Sequence, residues 1–135
     1  MAEFAILFLL GAARHLGEAL TFLRGESIKP ATLNLALSGK TVCVVGLGSI
    51  GLCFVERLRP FGVKIVATDE HPENAPPDVT GYPVDQLEVA VAHADSVVIC
   101  VRASKENEDL INAAILWAMK RGASHPYQHC SRDAH

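Results

Sequence analysis

The sequence has no run of lysine or arginine: 12 basic residues against 15 acidic ones leave a formal net charge of −3 over 135 residues. That balance lacks the electrostatic footprint of a nucleic-acid binder or of a protein held on an anionic membrane surface. Paired cysteines are missing too. Cys43, Cys53, Cys100 and Cys130 are widely separated and form no CxxC, so neither a zinc site nor a disulfide framework is expected and a reducing cytoplasm fits the chain. No stretch approaches the roughly 20 apolar residues that a membrane-spanning helix needs. The apolar run from Phe4 to Ala13 has the length of a signal-peptide core, but Glu3 precedes it and no basic residue does, which argues against export. Internal repeats and low-complexity tracts are absent.

What is present is apolar material for one core, since 50% of the residues are hydrophobic and 20% charged. The length suits a single domain of ordinary size. Ala2 to Arg24 contains no proline, is dominated by Ala and Leu and is followed by Gly25, so it reads as one long helix. Its first half is apolar nearly all round, as in a helix buried against a partner subunit or a further domain. Thr41 to Val45, Val63 to Ala67 and Ser96 to Val101 are β-branched runs of the kind buried on both faces of a parallel sheet. Ser49 to about Arg59, Val84 to His93 and Glu106 to Lys120 read as helices, and Glu70 to Asp78 as a loop rich in proline and acid. The alternation predicts an α/β class: a partial doubly wound parallel sheet preceded by a long N-terminal helix.

The most specific local feature is Gly46-Leu47-Gly48-Ser49-Ile50-Gly51, a GxGxxG that follows a strand and opens a helix. Gly46 permits the tight turn, Gly48 lets the backbone approach a pyrophosphate, and Gly51 lets helix and strand pack closely. The helix start, at Ser49 and Ile50, offers unpaired N–H groups and the positive end of its dipole to phosphates. Asp69 ends the second strand about twenty residues on, where an acid accepts hydrogen bonds from adenosine ribose hydroxyls. With Glu70 beside it and no nearby arginine, the expected ligand is NAD in preference to NADP. The alternative is that Asp69 merely caps a strand end.

Several further stretches combine into a resemblance. Leu37-Ser38-Gly39-Lys40-Thr41 leading into VCVVGLGSIG, RLRPFGVKIVATD, Ala94-Asp95-Ser96-Val97-Val98, Asp109-Leu110-Ile111-Asn112-Ala113 and Met119-Lys120-Arg121-Gly122-Ala123 together resemble the NAD-binding domain of the D-isomer-specific 2-hydroxyacid dehydrogenases. The opening helix from Ala2 to Arg14 resembles the family's crossover helix, which implies a homodimer contact. The resemblance implies a Rossmann-like domain over 41–123, preceded by an interface helix and linker over 1–40. It also implies NAD as cofactor, no metal, and hydride transfer between a 2-hydroxy acid and a 2-keto acid as the parent reaction.

Two departures qualify that reading. The family places proline in the segment after its fourth strand that lines the cofactor cleft, whereas this chain has Arg102 in Cys100-Val101-Arg102-Ala103-Ser104; the exchange frees the loop and adds a cation, which either reaches a cofactor phosphate or is simply solvated on the loosened loop, and Val101 and Arg102 are kept as cofactor-binding candidates. After Ala123 the family continues into a buried strand, "LINIARG", whose arginine orients the substrate carboxylate. Residues 124–135 read SHPYQHCSRDAH instead, and Pro126 argues against a buried central strand. A one-base shift before Tyr127 converts codons for Tyr-Gln-His-Cys-Ser-Arg-Asp into codons permitting Ile-Asn-Ile-Ala-Arg-Gly, so the tail is expected to be out of frame and disordered, leaving the strand at Ser96 as an open edge. Counterparts of the family's catalytic Arg, Glu and His are not found; His15, His71 and His93 read as surface or interface residues. The expectation is therefore cofactor binding by a truncated domain without turnover. The alternatives are an NAD-responsive regulatory module, like the corepressors that share this fold, or a non-functional product of a frameshifted gene.

Overall fold

The runs of β-branched residues become the strands of one parallel sheet. The computed structural model describes residues 1–26, 36–102, 104–107, 109–121 and 123–128. Its strands are β1 (Thr41–Val45), β2 (Lys64–Asp69), β3 (Val79–Pro83), β4 (Ser96–Ile99) and β5 (Ser124–Gln128), standing in the order β3-β2-β1-β4-β5. Every pairing is parallel. The central strand shows why the sequence there is continuously apolar. Val42 and Val44 join a core with Phe54, Val55 and Leu58 on one face, while Cys43 and Val45 join Leu87, Ala90, Val91 and Ile115 on the other. Side chains alternate along a strand, so a strand covered on both faces has no position for a polar residue.

The first face is covered by α1 (Ala2–Ala13) and α3 (Ser49–Leu58), the second by α4 (Leu87–Ala92) and α5 (Ala113–Ala118). This is the expected α/β architecture with its Rossmann-like order and N-terminal helix. Two anchors fix the ends of elements. Arg59, just after α3, makes a two-pronged ion pair with Asp78 at 2.7 and 2.9 Å, joining that turn to the start of β3. Asp95 accepts the Thr41 N–H at 2.8 Å and the Lys120 ammonium at 3.2 Å, tying β1 to the chain beyond α5.

Four expectations are corrected. The single helix to Arg24 is two, α1 and α2 (Leu16–Leu23), bent by 70° at His15, whose φ of 49° and ψ of 49° are left-handed. The break separates different tasks: α1 buries Ala2, Ala5, Leu9 and Ala13 along one stripe, and α2 buries nothing. Neither helix is by itself long and apolar enough to cross a membrane. Secondly, Val79–Pro83 is a strand that the sequence reading passed over. Thirdly, the helix expected from Glu106 to Lys120 shrinks to a 3-10 turn at Lys105–Asn107 and to α5. Asp109 at φ 63° interrupts it, and the Asn112 side chain restarts it by accepting the Ile115 N–H at 3.1 Å.

The fourth correction concerns the tail, since residues 124–128 form β5 and cover β4. Ser124 pairs with Ser96 but Tyr127 with Val98, so two residues, His125 and Pro126, face the single residue Val97. A bulge on an edge strand is where a ladder accommodates a residue without an N–H. Proline thus excludes a central strand there but not an outer one. Cys130 and the rest of 129–135 lie outside the described residues.

Candidate functional site

The ends of three strands meet where the fingerprint predicted a turn. Gly46 leaves β1 with φ +96°, a conformation that costs other residues dearly, and its N–H donates to the Thr68 carbonyl at 2.8 Å. The Cys100 N–H donates to the Val45 carbonyl at 2.7 Å, which draws the segment after β4 against the same turn. A Cβ on Gly46 would lie 2.8 Å from Val101 Cγ1, and one on Gly51 would collide with the Gly46 carbonyl oxygen. Gly48 is different: a Cβ there would meet nothing within 4 Å. It is the N-cap of α3, and no side chain caps the helix's first N–H groups, so the partial positive charge of that end stays available.

Asp69 joins β2 to this turn. Its Oδ2 accepts the Leu47 N–H at 2.7 Å and its Oδ1 accepts the His71 N–H at 2.9 Å. The strand-end cap weighed as an alternative is therefore real, but it does not use the carboxylate up. Each oxygen has a second acceptor direction.

These pieces border a cleft of about 310 Å³ lined by Gly46, Gly48 and Asp69 on one side and Val101 and Arg102 on the other. Of the predicted residues, Gly51 lies behind the turn and Ser49 and Ile50 form the first turn of α3 at its edge. Sequence reasoning missed Val84, Cys100, Asn107 and Leu110, which also line the cleft. Val84 follows β3 and Leu110 precedes α5, so only the folded topology brings them together. Asn107 carries a local signal in hindsight: its side-chain amide donates to the Arg102 carbonyl at 2.9 Å, the kind of backbone clamp that Asn makes in tight loops. A smaller hollow of about 190 Å³ shares the wall of Val101, Asn107 and Leu110 and extends to Asp109 and Ile111.

Burial pushes the Cys100 thiol up to about 11 and that of Cys43 up to about 12, so neither supplies a thiolate nucleophile near neutral pH. His15, His71 and His93 do not line the cleft; His71 instead faces Glu73 at 3.1 Å. Among the described residues no group of three or more His, Cys, Asp or Glu could hold a metal ion. The lining brings together a helix end, the carboxylates of Asp69 and Glu70, the Arg102 guanidinium and apolar walls, which suit a ligand with phosphates, hydroxyls and a flat apolar group.

Comparison with known proteins agrees with that chemistry. The family described as D-isomer specific 2-hydroxyacid dehydrogenase, NAD binding domain, matches residues 6–125. The D-lactate dehydrogenase of Leuconostoc mesenteroides subsp. cremoris is 40% identical over 83 residues, covering 62% of this chain and 25% of that protein. The hydroxypyruvate reductase of Thermotoga maritima is 32% identical over 125 residues, covering 90% of this chain and 39% of that protein. Among solved structures, D-2-hydroxyisocaproate dehydrogenase superposes with a TM-score of 0.78 at 30% identity, over 90% of this chain and 37% of that one. The chain spans between a quarter and two-fifths of the length of these relatives.

Proposed function

This chain belongs to the D-isomer-specific 2-hydroxyacid dehydrogenase family as an NAD-binding domain, with NAD as its cofactor, and from that premise we propose which of its residues hold the dinucleotide. The pyrophosphate lies over the backbone of Gly48, Ser49 and Ile50 at the start of α3, and the adenosine ribose hydroxyls bond to Asp69. Gly46 and Gly51 shape the turn, and Val101 and Arg102 close the opposite wall. One observation carries this assignment. The chain itself requires Gly46 and Gly51, whose added Cβ atoms would strike Val101 and the Gly46 carbonyl, but nothing within 4 Å requires Gly48 to be a glycine. Standing at the uncapped start of α3 and on the cleft lining, Gly48 leaves the backbone N–H groups open to a ligand's close approach.

NAD, when bound, supplies a nicotinamide that accepts or donates hydride, and the chain's residues bind and orient it. The carboxylates of Asp69 and Glu70 repel a 2′-phosphate, so NADH should bind more tightly than NADPH. Fluorescence titration of both cofactors tests the assignment: Asp69→Ala should erode the preference, and equal affinities in the wild type would refute it. Interconversion of a 2-hydroxy acid and a 2-keto acid is proposed for an enzyme of full family length. For this chain we propose the binding and orientation of the dinucleotide.

The opening helices favour a second element of the reading, a homodimer formed through α1. Phe4, Leu7 and Phe8 stay 57%, 54% and 43% exposed, an apolar surface of the kind that marks an interface. A cytoplasmic location fits the thiols of Cys43, Cys53 and Cys100, which are all free.

A further inference from the structure

Among the described residues, Arg57 faces Glu3, Arg59 faces Asp78 and Lys120 faces Asp95. Arg102 is placed differently. It lines the cleft, yet its guanidinium has no hydrogen-bond or ion-pair partner among the described residues. Its backbone, in contrast, is held. Asn107 donates its side-chain amide to the Arg102 carbonyl at 2.9 Å and its N–H to the Ser104 carbonyl at 3.1 Å. Asn107, in the 3-10 turn at Lys105–Asn107, thus anchors the backbone that carries this guanidinium.

The charges around the cleft give that guanidinium a task. The carboxylates on its lining are Asp69 and Glu70, both on the β2 side and both unfavourable to a ligand carrying two phosphate charges. Arg102 stands on the β4 side. A guanidinium forms two parallel hydrogen bonds to phosphate oxygens without giving up much hydration, and does so more readily than an ammonium. We propose that Arg102 is a specificity-determining residue that binds the phosphates of the dinucleotide from the β4 wall, offsetting the two acids across the cleft. This proposal rests on the cofactor reading above.

Calorimetric titration of the full chain with NADH, ADP and adenosine separates the two readings. Arg102→Ala should weaken NADH and ADP about tenfold, the scale of one charge-assisted hydrogen bond reduced by solvent screening. Adenosine, which has no phosphate, should bind the variant as it binds the wild type, and raising the salt concentration should weaken NADH less in the variant. Arg102→Lys should recover part of the affinity for NADH and ADP, and circular dichroism should show both variants folded. Unchanged NADH affinity in Arg102→Ala would overturn the proposal while leaving the cofactor reading intact. An equal loss for NADH and adenosine would also overturn it, since Arg102 would then act on the loop alone. A wild type that binds none of the three would sink the cofactor reading and this proposal with it.

Discussion

The three glycines of the turn can be separated by experiment, because the fold makes different demands on each. Gly51→Ala places a Cβ against the carbonyl oxygen of Gly46. Both atoms belong to backbone, so the turn or the helix must move, and overpacking of that kind costs about 3 kcal/mol at its upper end. Alanine's better helix propensity returns about 1 kcal/mol, leaving a net loss near 2 kcal/mol. For a chain of this size each kcal/mol shifts Tm by roughly 3–5 °C, so Gly51→Ala should melt about 6–10 °C lower. Gly48→Ala meets no atom within 4 Å, and its φ of −64° suits alanine. Alanine is a poorer N-cap than glycine, by about 0.5–1 kcal/mol, but it restricts the unfolded chain by a similar amount. Its Tm should therefore stay close to that of the wild type. NADH affinity should nevertheless fall at least about tenfold, or 1.4 kcal/mol, because the methyl group occupies the space assigned to the pyrophosphate. Scanning calorimetry and fluorescence titration on the same samples give both numbers. Wild-type affinity in Gly48→Ala would show that the ligand does not approach there, and an unchanged Tm in Gly51→Ala would show that the close helix–turn contact is wrong.

Two other outcomes follow from surface chemistry. At Asp95 burial would raise the carboxyl, but the Thr41 N–H and the Lys120 ammonium outweigh it and hold the group below its usual range. Stability from a depressed carboxylate is present above the unfolded pKa and is lost as pH falls through the lower, folded pKa. Asp95→Asn should therefore cost about 1 kcal/mol in urea unfolding at pH 7, given the exposure of Lys120, and progressively less as pH falls below the ordinary carboxylate range; a cost that does not change with pH would contradict the ionic account. For the dimer, burying the exposed halves of Phe4, Leu7 and Phe8 contributes about 1 kcal/mol each, so Phe8→Glu should shift sedimentation equilibrium toward the monomer. A wild type that sediments as a monomer at high concentration would remove the basis for that interface.

The part of the site legible in the sequence is the part where one segment carries the whole constraint. Val42 to Val45 had to be buried on both sides, Gly46 had to turn with positive φ, and Asp69 had to end the next strand; each needs only its own residue type and its neighbours. The opposite wall was legible only as a likeness to other sequences, at Val101 and Arg102. Val84, Asn107 and Leu110 were not, because they come from separate loops that converge only once the sheet is wound. β3 was passed over for a related reason. Val79-Thr80-Gly81-Tyr82-Pro83 contains the two residues that usually argue against a strand, and each is explained by an outer position. Pro83 ends the strand, and a Cβ on Gly81 would lie 2.5 Å from the Pro72 carbonyl oxygen, a close approach that only glycine permits.

The first helix shows a different limit. Its composition announces more apolar surface than an amphipathic helix needs, and that much is plain from Phe4-Ala5-Ile6-Leu7-Phe8-Leu9-Leu10. The residues buried are Ala2, Ala5, Leu9 and Ala13, spaced three or four apart along one stripe, three of them the smallest side chains available. Small residues let α1 lie close against the sheet-side core, where Leu9 joins them and Ile6 and Leu10 pack alongside, while Phe4, Leu7 and Phe8 stand away from it. Hydrophobicity alone cannot separate these two sets, because a core position and an interface position have the same chemistry and differ only in what arrives to cover them. Size separates them here. A helix that packed its phenylalanines inward would stand farther from α3 and leave the alanines outside, so the small stripe identifies the inner face and assigns Phe4, Leu7 and Phe8 to whatever meets the outer one.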